Sequence, residues 1–137
     1  MTRLWLAPDV EPAVVQHLKK SGYFQGIKIG TKKPPLKNTE VFIQIFQTGG
    51  TPRDIVTDKL QVTVTCWHSN AGEAMTLARK VRAVLEQAEH DGLLNGIPCY
   101  RALPIGASYP DPDPVTGQAR ATTTFEIALR GTYKRKQ

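Results

Sequence analysis

Only two cysteines, Cys66 and Cys99, occur in the 137 residues, too few to staple a small fold with disulfides. Both fall in strand-like segments and read as reduced core thiols of a cytosolic product. No apolar run approaches the roughly 18 residues of a membrane span, so no membrane partner is expected. The start "MTRLWLAPDVEP" has an acidic pair where a signal peptide has its longer apolar region, so export by that route is not expected. Gly49-Gly50 has no Lys-Ser/Thr after it and opens no helix, which excludes a phosphate loop.

The residues of catalysis and metal binding are also sparse. The three histidines, His17, His68 and His90, stand in no nucleophile motif. Cys66 and His68 could share a strand face, with Cys99 and His90 completing four ligands. Yet C-x-H lacks the reach of a C-x2-C knuckle, and core cysteines with a loop histidine are the better account. Asp111 and Asp113 are close carboxylates, but Pro110, Pro112 and Pro114 should hold them extended and solvated, without the raised pKa of a buried acid. No enzyme and no cofactor is expected.

What the chain does have is basic charge, net +6. Lys19, Lys20, Lys28, Lys32, Lys33 and Lys37 occur with no acid between them, and Lys134, Arg135 and Lys136 lie near the end of the chain. The ordinary reading is a solvated surface with a frayed tail; the sharper one is attraction to nucleic acid or an acidic protein surface. The aromatics sit mostly at core-like positions, so no basic-aromatic strand pair of the RNA-binding kind is apparent.

Hydrophobic periodicity supplies the elements. A helix should start at Asp9, bury Val10, Val14 and Leu18, and stop at Ser21-Gly22. Gly26–Thr31 reads as a short strand, Lys32–Asn38 as a proline-broken loop, and Val41–Gln47 as a central strand. A loop of about ten residues, Gly49–Asp58, separates it from the strand ending at Trp67, longer than common hairpin connections. Asn70 with Glu73 caps a long helix, Ala71 to about Glu89, with an apolar stripe from Ala74 to Ala88. A strand from Ile97 to Leu103 precedes the proline–aspartate segment Tyr109–Gly117, which cannot be sheet interior. From Ala119, Ala121, Thr123, Phe125, Ile127 and Leu129 alternate with Arg120, Thr122, Thr124, Glu126 and Arg130, a strand with one wet face.

The expectation is one α+β domain over residues 1–137, in the order α-β-β-β-α-β-β. Its sheet is mainly antiparallel, with about five strands and two helices packed on one face. The tail at 133–137 should be disordered. Arg101, Thr122, Thr124 and Glu126 should share the polar face, suited to a partner sheet or a ring interior.

Three stretches taken together, "VFIQIFQTGG", "DIVTDKLQVTVTCWHSNAGEAMTLARKVRAVL" and "YPDPDPVTGQARATTTFEIALRG", resemble the lambda-type tail terminators of long-tailed, non-contractile phages. The likeness is in the order of parts. A strand ends in Gly-Gly, a loop ends in Asp, a strand ends in Trp, and a helix has A-x-x-L-A-x-x-V-R spacing. A Pro-Asp loop and an alternating strand follow. It implies a virion protein at the head-proximal end of the tail, forming a homo-oligomeric, hexameric ring on the last ring of the tail tube. That ring stops tube polymerisation and presents a surface to the head–tail connector proteins. Genome DNA would pass through the lumen without specific binding.

The two long loops then become candidate subunit or tube contacts, through Gly49, Gly50, Arg53, Asp54, Asp58, Tyr109, Asp111 and Asp113. Lys32, Lys33 and Lys37 become a candidate basic contact for the acids of a neighbour. The alternatives are an exposed loop without a partner, a head–tail connector or tail-completion protein, and, from another class, a basic nucleic-acid-binding protein.

Overall fold

The side-chain oxygen of Asn70 accepts the N–H of Glu73 at 2.9 Å, satisfying a donor that the first turn of a helix leaves without an internal partner. Helix α2 then runs Ala71–Asp91 and ends at Gly92, whose φ of 77° suits a residue without Cβ. Its buried stripe comprises Ala74, Leu77, Ala78, Val81, Val84, Leu85 and Ala88. Helix α1, Val10–Lys20, buries Val10, Val14 and Leu18 in the same core. Asp9 precedes it with extended dihedrals but makes no side-chain cap bond.

The computed structural model describes residues 3–32 and 41–135. Among these the strands are β1 (Arg3–Leu6), β2 (Lys28–Gly30), β3 (Phe42–Pro52), β4 (Thr57–Trp67), β5 (Leu93–Leu94), β6 (Ile97–Pro104), β7 (Tyr109–Pro110), β8 (Arg120–Arg130) and β9 (Thr132–Arg135). The main sheet has the order β2-β3-β4-β8-β6-β5, and β7 joins the edge of β8 beyond the end of β6. Only β2 with β3 is parallel; the remaining pairs are antiparallel. Strands β1 and β9 form a separate two-stranded ribbon.

Both helices cover one face of the main sheet, against Ile43, Ile45, Val62, Val64, Phe125, Ile127 and Leu129. Burying such a side chain contributes about 1.5–3 kcal/mol, against roughly 0.2–1 kcal/mol for a cross-strand pair. The apolar row therefore decides which face packs, and the polar pairs adjust register within it.

The α+β class, the two helices and the mostly antiparallel sheet agree with the sequence expectation. The strand count and order do not. The expected tail at 133–137 enters β9 through Arg135, with Trp5 and Tyr133 edge-to-face at 4.8 Å and an interplanar angle of 76°. Gly131 makes this possible, because a Cβ there would collide with the Leu6 carbonyl and the Trp5 ring. The expected ten-residue loop also contracts, since β3 runs to Pro52 and β4 begins at Thr57. Pro52 is tolerated because β3 has a neighbour on only one side at that level. The basic loop falls largely outside the described residues, Lys33 and Lys37 with it. Lys32 is exposed after β2.

A polar latch joins α1 to the turn between β5 and β6. Asn95 and Gly96, both at positive φ, make that two-residue hairpin turn. The Asn95 N–H donates to His17 Nδ1 at 2.9 Å, and Lys20 Nζ donates to Asn95 Oδ1 at 3.2 Å. Burial lowers the pKa of His17, with Asp91 acting in the opposite sense.

Two outcomes follow. Gly131→Ala should lower unfolding free energy by about 1–3 kcal/mol, because Leu6 must retreat from the new methyl. Gly106→Ala, which meets no atom within 4 Å, should change it by about 0.5 kcal/mol or less in the same urea titration. For His17, the unfolded chain takes up a proton near pH 6.5 and the folded chain only below that. Between the two values the unfolded state binds more protons, so this contribution is full above about 6.5 and lost as pH falls. Urea midpoints at about pH 7.5 and about pH 5 should separate more in wild type than in His17→Gln; equal separations would remove the latch from the account.

Candidate interaction surface

The sheet face away from the helices carries the alternate residues of the same strands. Thr63 and Thr124 approach to 3.1 Å between hydroxyls, Thr65 and Thr122 to 3.4 Å, and Arg101 Nε lies 2.6 Å from Glu126 Oε2. Arg101, Thr122, Thr124 and Glu126 thus share the face on which alternation placed them. The face is concave rather than flat. Gln44, Thr65, Thr122, Tyr109 and Asp111 help line a cavity of about 350 Å³, and Thr63, Thr65 and Thr122 are buried in its floor.

The proline–aspartate segment folds back on β8 instead of projecting as an arm. Asp111 Oδ2 accepts the Thr122 hydroxyl at 2.9 Å and lies 3.3 Å from Arg120 Nη2. The Asp111 N–H donates to the Arg120 carbonyl at 2.9 Å, and Arg120 Nε donates to the Asp111 carbonyl. The Arg120 guanidinium also sits 5.4 Å from the Trp67 ring centre. Asp113 accepts Val115 N–H and the Thr116 hydroxyl, both at 3.0 Å, while Gly117 N–H closes on its carbonyl. Both acids are half-buried, which corrects the extended and solvated expectation. Prolines stiffen the chain here, but side-chain acceptors decide where it goes.

The second expected loop is a tight turn, Arg53–Val56. Asp54 Oδ1 accepts Val56 N–H and Thr57 N–H, each at 2.9 Å, and Arg53 N–H reaches the Thr57 carbonyl at 2.8 Å. Gly50 belongs to β3, where a Cβ would lie 2.6 Å from the Lys59 carbonyl oxygen. Gly49 pairs with Gln61, and Asp58 sits in β4 opposite Pro52. Arg53 places its guanidinium 5.5 Å from the Tyr100 ring centre, beside Lys59 and the Arg101–Glu126 pair in a groove of about 460 Å³.

The sheet therefore gathers Tyr109 and Asp111 at one cavity and Arg53 at another, on one face. It keeps the two turns apart. Asp58 pairs with Leu129 and Trp67 with Arg120, so they lie at opposite ends of β4, roughly 30 Å distant at strand rise. Lys59, Tyr100, Thr63 and Thr65 were not singled out from sequence. The two threonines had a signal, their alternation with Val62, Val64 and Cys66. Tyr100 had none, because its place under Arg53 depends on the register shift between Cys99 and Arg101 in β6.

Burial pushes the Cys66 thiol up to about 12 and the Cys99 thiol to about 11. Ser69 Oγ lies 3.0 Å from His68 Nδ1, but that nitrogen already accepts Ser69 N–H at 2.8 Å, and Glu73 is 3.9 Å from Nε2. That arrangement supports the start of α2 and lacks the aligned base of a nucleophile. No group of three potential metal ligands occurs among the described residues, and no helix among them is long and apolar enough to cross a membrane. No family model and no curated protein matches the chain.

With both thiols protonated far above neutral pH, native protein should resist an aromatic disulfide reagent at about pH 8, whereas unfolded protein should release two equivalents. Fast reaction of either thiol in the native protein would contradict their burial.

Proposed function

We propose that this protein is a structural, non-enzymatic virion subunit: a tail terminator that assembles into a hexameric ring on the last ring of a tail tube, stops polymerisation and offers a joining surface to the head. The observation that carries the reading is the layered architecture. One sheet face is sealed by both helices, and the other is concave, hydrogen-bonding and flanked at each end by a turn that an aspartate locks. A ring subunit between two other rings needs rigid features at both axial ends and a lateral surface that is not ordinary core, and these elements supply both. The order of parts along the chain supports the same reading through its resemblance to tail terminators.

A head–tail connector or tail-completion protein would use the same architecture with a different docking partner. One observation favours a nucleic-acid-binding reading, the Arg53, Lys59 and Arg101 groove. Glu126 neutralises part of it, and the Tyr100 ring in it is already covered by the Arg53 guanidinium.

Light scattering on purified protein should give the mass of about six subunits, with closed rings in negative stain. Added to polymerising tail tubes, it should end growth at one tip. A monomer at every concentration, combined with a gel shift that weakens steeply with salt, would replace the ring reading with the nucleic-acid one.

A further inference from the structure

Positive charge without counter-ions gathers at one end of the polar sheet face. Lys59, Ala128 and Arg101 stand side by side on β4, β8 and β6, so two cations flank a methyl group across about 10 Å. Arg130 follows Ala128 by two residues, which alternation puts on the same face. The register shift between Cys99 and Arg101 leaves Tyr100 as an extra residue of β6. Tyr100 and Arg101 both line the groove, and Arg53 lies over the Tyr100 ring. Glu126 answers Arg101, but Arg53, Lys59 and Arg130 have no ion-pair partner among the described residues. Asp54 is engaged by its own turn, and Asp58 alternates to the opposite face beside Leu129. The mutual repulsion of these three cations is relieved by a bound anion.

The groove continues along β4. Lys59 and Glu126 also line a second recess of about 200 Å³, with Thr51, Gln61 and Ile105. Beyond Gln61, the same face carries Thr63 and Thr65 into the cavity that Tyr109 and Asp111 border. The alternate residues of β4 from Lys59 to Thr65 therefore floor one trough, about 20 Å long at strand rise, the span of roughly six extended residues. Its cations do not track a nucleic-acid backbone, which carries a phosphate at every nucleotide, because they occupy one end only. Arg120, at the other end, is already held by Asp111. The charged end also has no open ring for a base, since Arg53 covers Tyr100.

We infer that the trough takes an extended segment of a partner protein, with two or more carboxylates at one end seated among Arg53, Lys59 and Arg130. A second copy of this chain fits less well, because its own acids are in use. Glu11 and Glu89 hold edge-strand N–H groups, Glu86 holds Arg82, and Asp54, Asp111 and Asp113 hold their turns. Guanidinium groups grip a carboxylate through two parallel bonds, so the charged end fixes the direction in which the segment lies. The inference goes beyond the ring reading and does not depend on it, since every named group belongs to one subunit.

The test titrates full-length protein against three fluorescent probes. These are a peptide of two aspartates followed by alternating serine and threonine, its asparagine counterpart, and an oligothymidylate of similar length. The aspartate peptide should bind at least about 10-fold tighter than the asparagine one. Arg53→Gln and Lys59→Gln should each weaken it at least about 5-fold, whereas Lys80→Gln, exposed on α2, should not. Amide chemical-shift changes should run along β4 from Lys59 to Thr65. No binding of the aspartate peptide, equal binding of both peptides, wild-type affinity in both groove variants, or tighter binding of the oligothymidylate would overturn the inference. Light scattering scores the ring separately: a monomer that prefers the aspartate peptide overturns the ring reading alone, and rings without that preference overturn the trough alone.

Discussion

The two faces of this protein depend on the pairing of β4 with β8. Thr57 opposes Arg130 and Trp67 opposes Arg120, with no register shift between them, whereas the pairings on either side, β3 with β4 and β6 with β8, each contain an irregularity. A slip of one residue between them would turn one strand over, sending either Val62 and Val64 or Phe125 and Ile127 into water and that strand's threonines toward the helices. The central pair therefore sets the core, the polar face and the ends at which the two locked turns stand. The irregularities beside it are tolerated because each is tied down by a carboxylate from a helix. Glu11 accepts Gln47 N–H at 2.7 Å next to the shift in β3, and Glu89 accepts Ala102 N–H at 2.8 Å next to the shift in β6.

Much of this was legible in the sequence, for local reasons. The Asn70 cap, the stripe of α2 and the alternation of β8 are encoded within a few turns or residues, where periodicity and capping chemistry act directly. The missed features all join distant parts of the chain. The β1–β9 ribbon depends on Gly131 meeting Leu6, and the Arg53–Tyr100 contact on a shift in a third strand. Asp111 and Asp113 were misjudged for a related reason. Proline spacing described their stiffness correctly, but Thr122 and Arg120, which capture Asp111, become its neighbours only when β7 pairs with β8. Of the candidate site, the polar face was read well from alternation and the two turns poorly, because the same aspartates that looked available for a partner hold the turns shut.

That reversal bears on the proposed role. Loops that wait for a partner before ordering lose entropy on assembly, whereas turns closed by their own side chains have already lost it. A subunit that must add once, in one orientation, and then stop further growth gains from surfaces that are shaped before contact. The threonine pairs work similarly, since hydroxyls satisfied across β4 and β8 need no rearrangement when another surface covers them.

The ribbon also has a bearing on how the chain reaches its final form. Arg3–Leu6 has its partner in Thr132–Arg135, at the far end of the sequence. During synthesis β1 must wait, exposing Leu4, Trp5 and Leu6, until Thr132–Arg135 has been made. The loop it closes runs from Leu6 to Thr132, yet closure entropy grows only with the logarithm of length, so the delay is a matter of timing more than of stability. Strand β9 thus joins β1 only after every strand of the main sheet has been made.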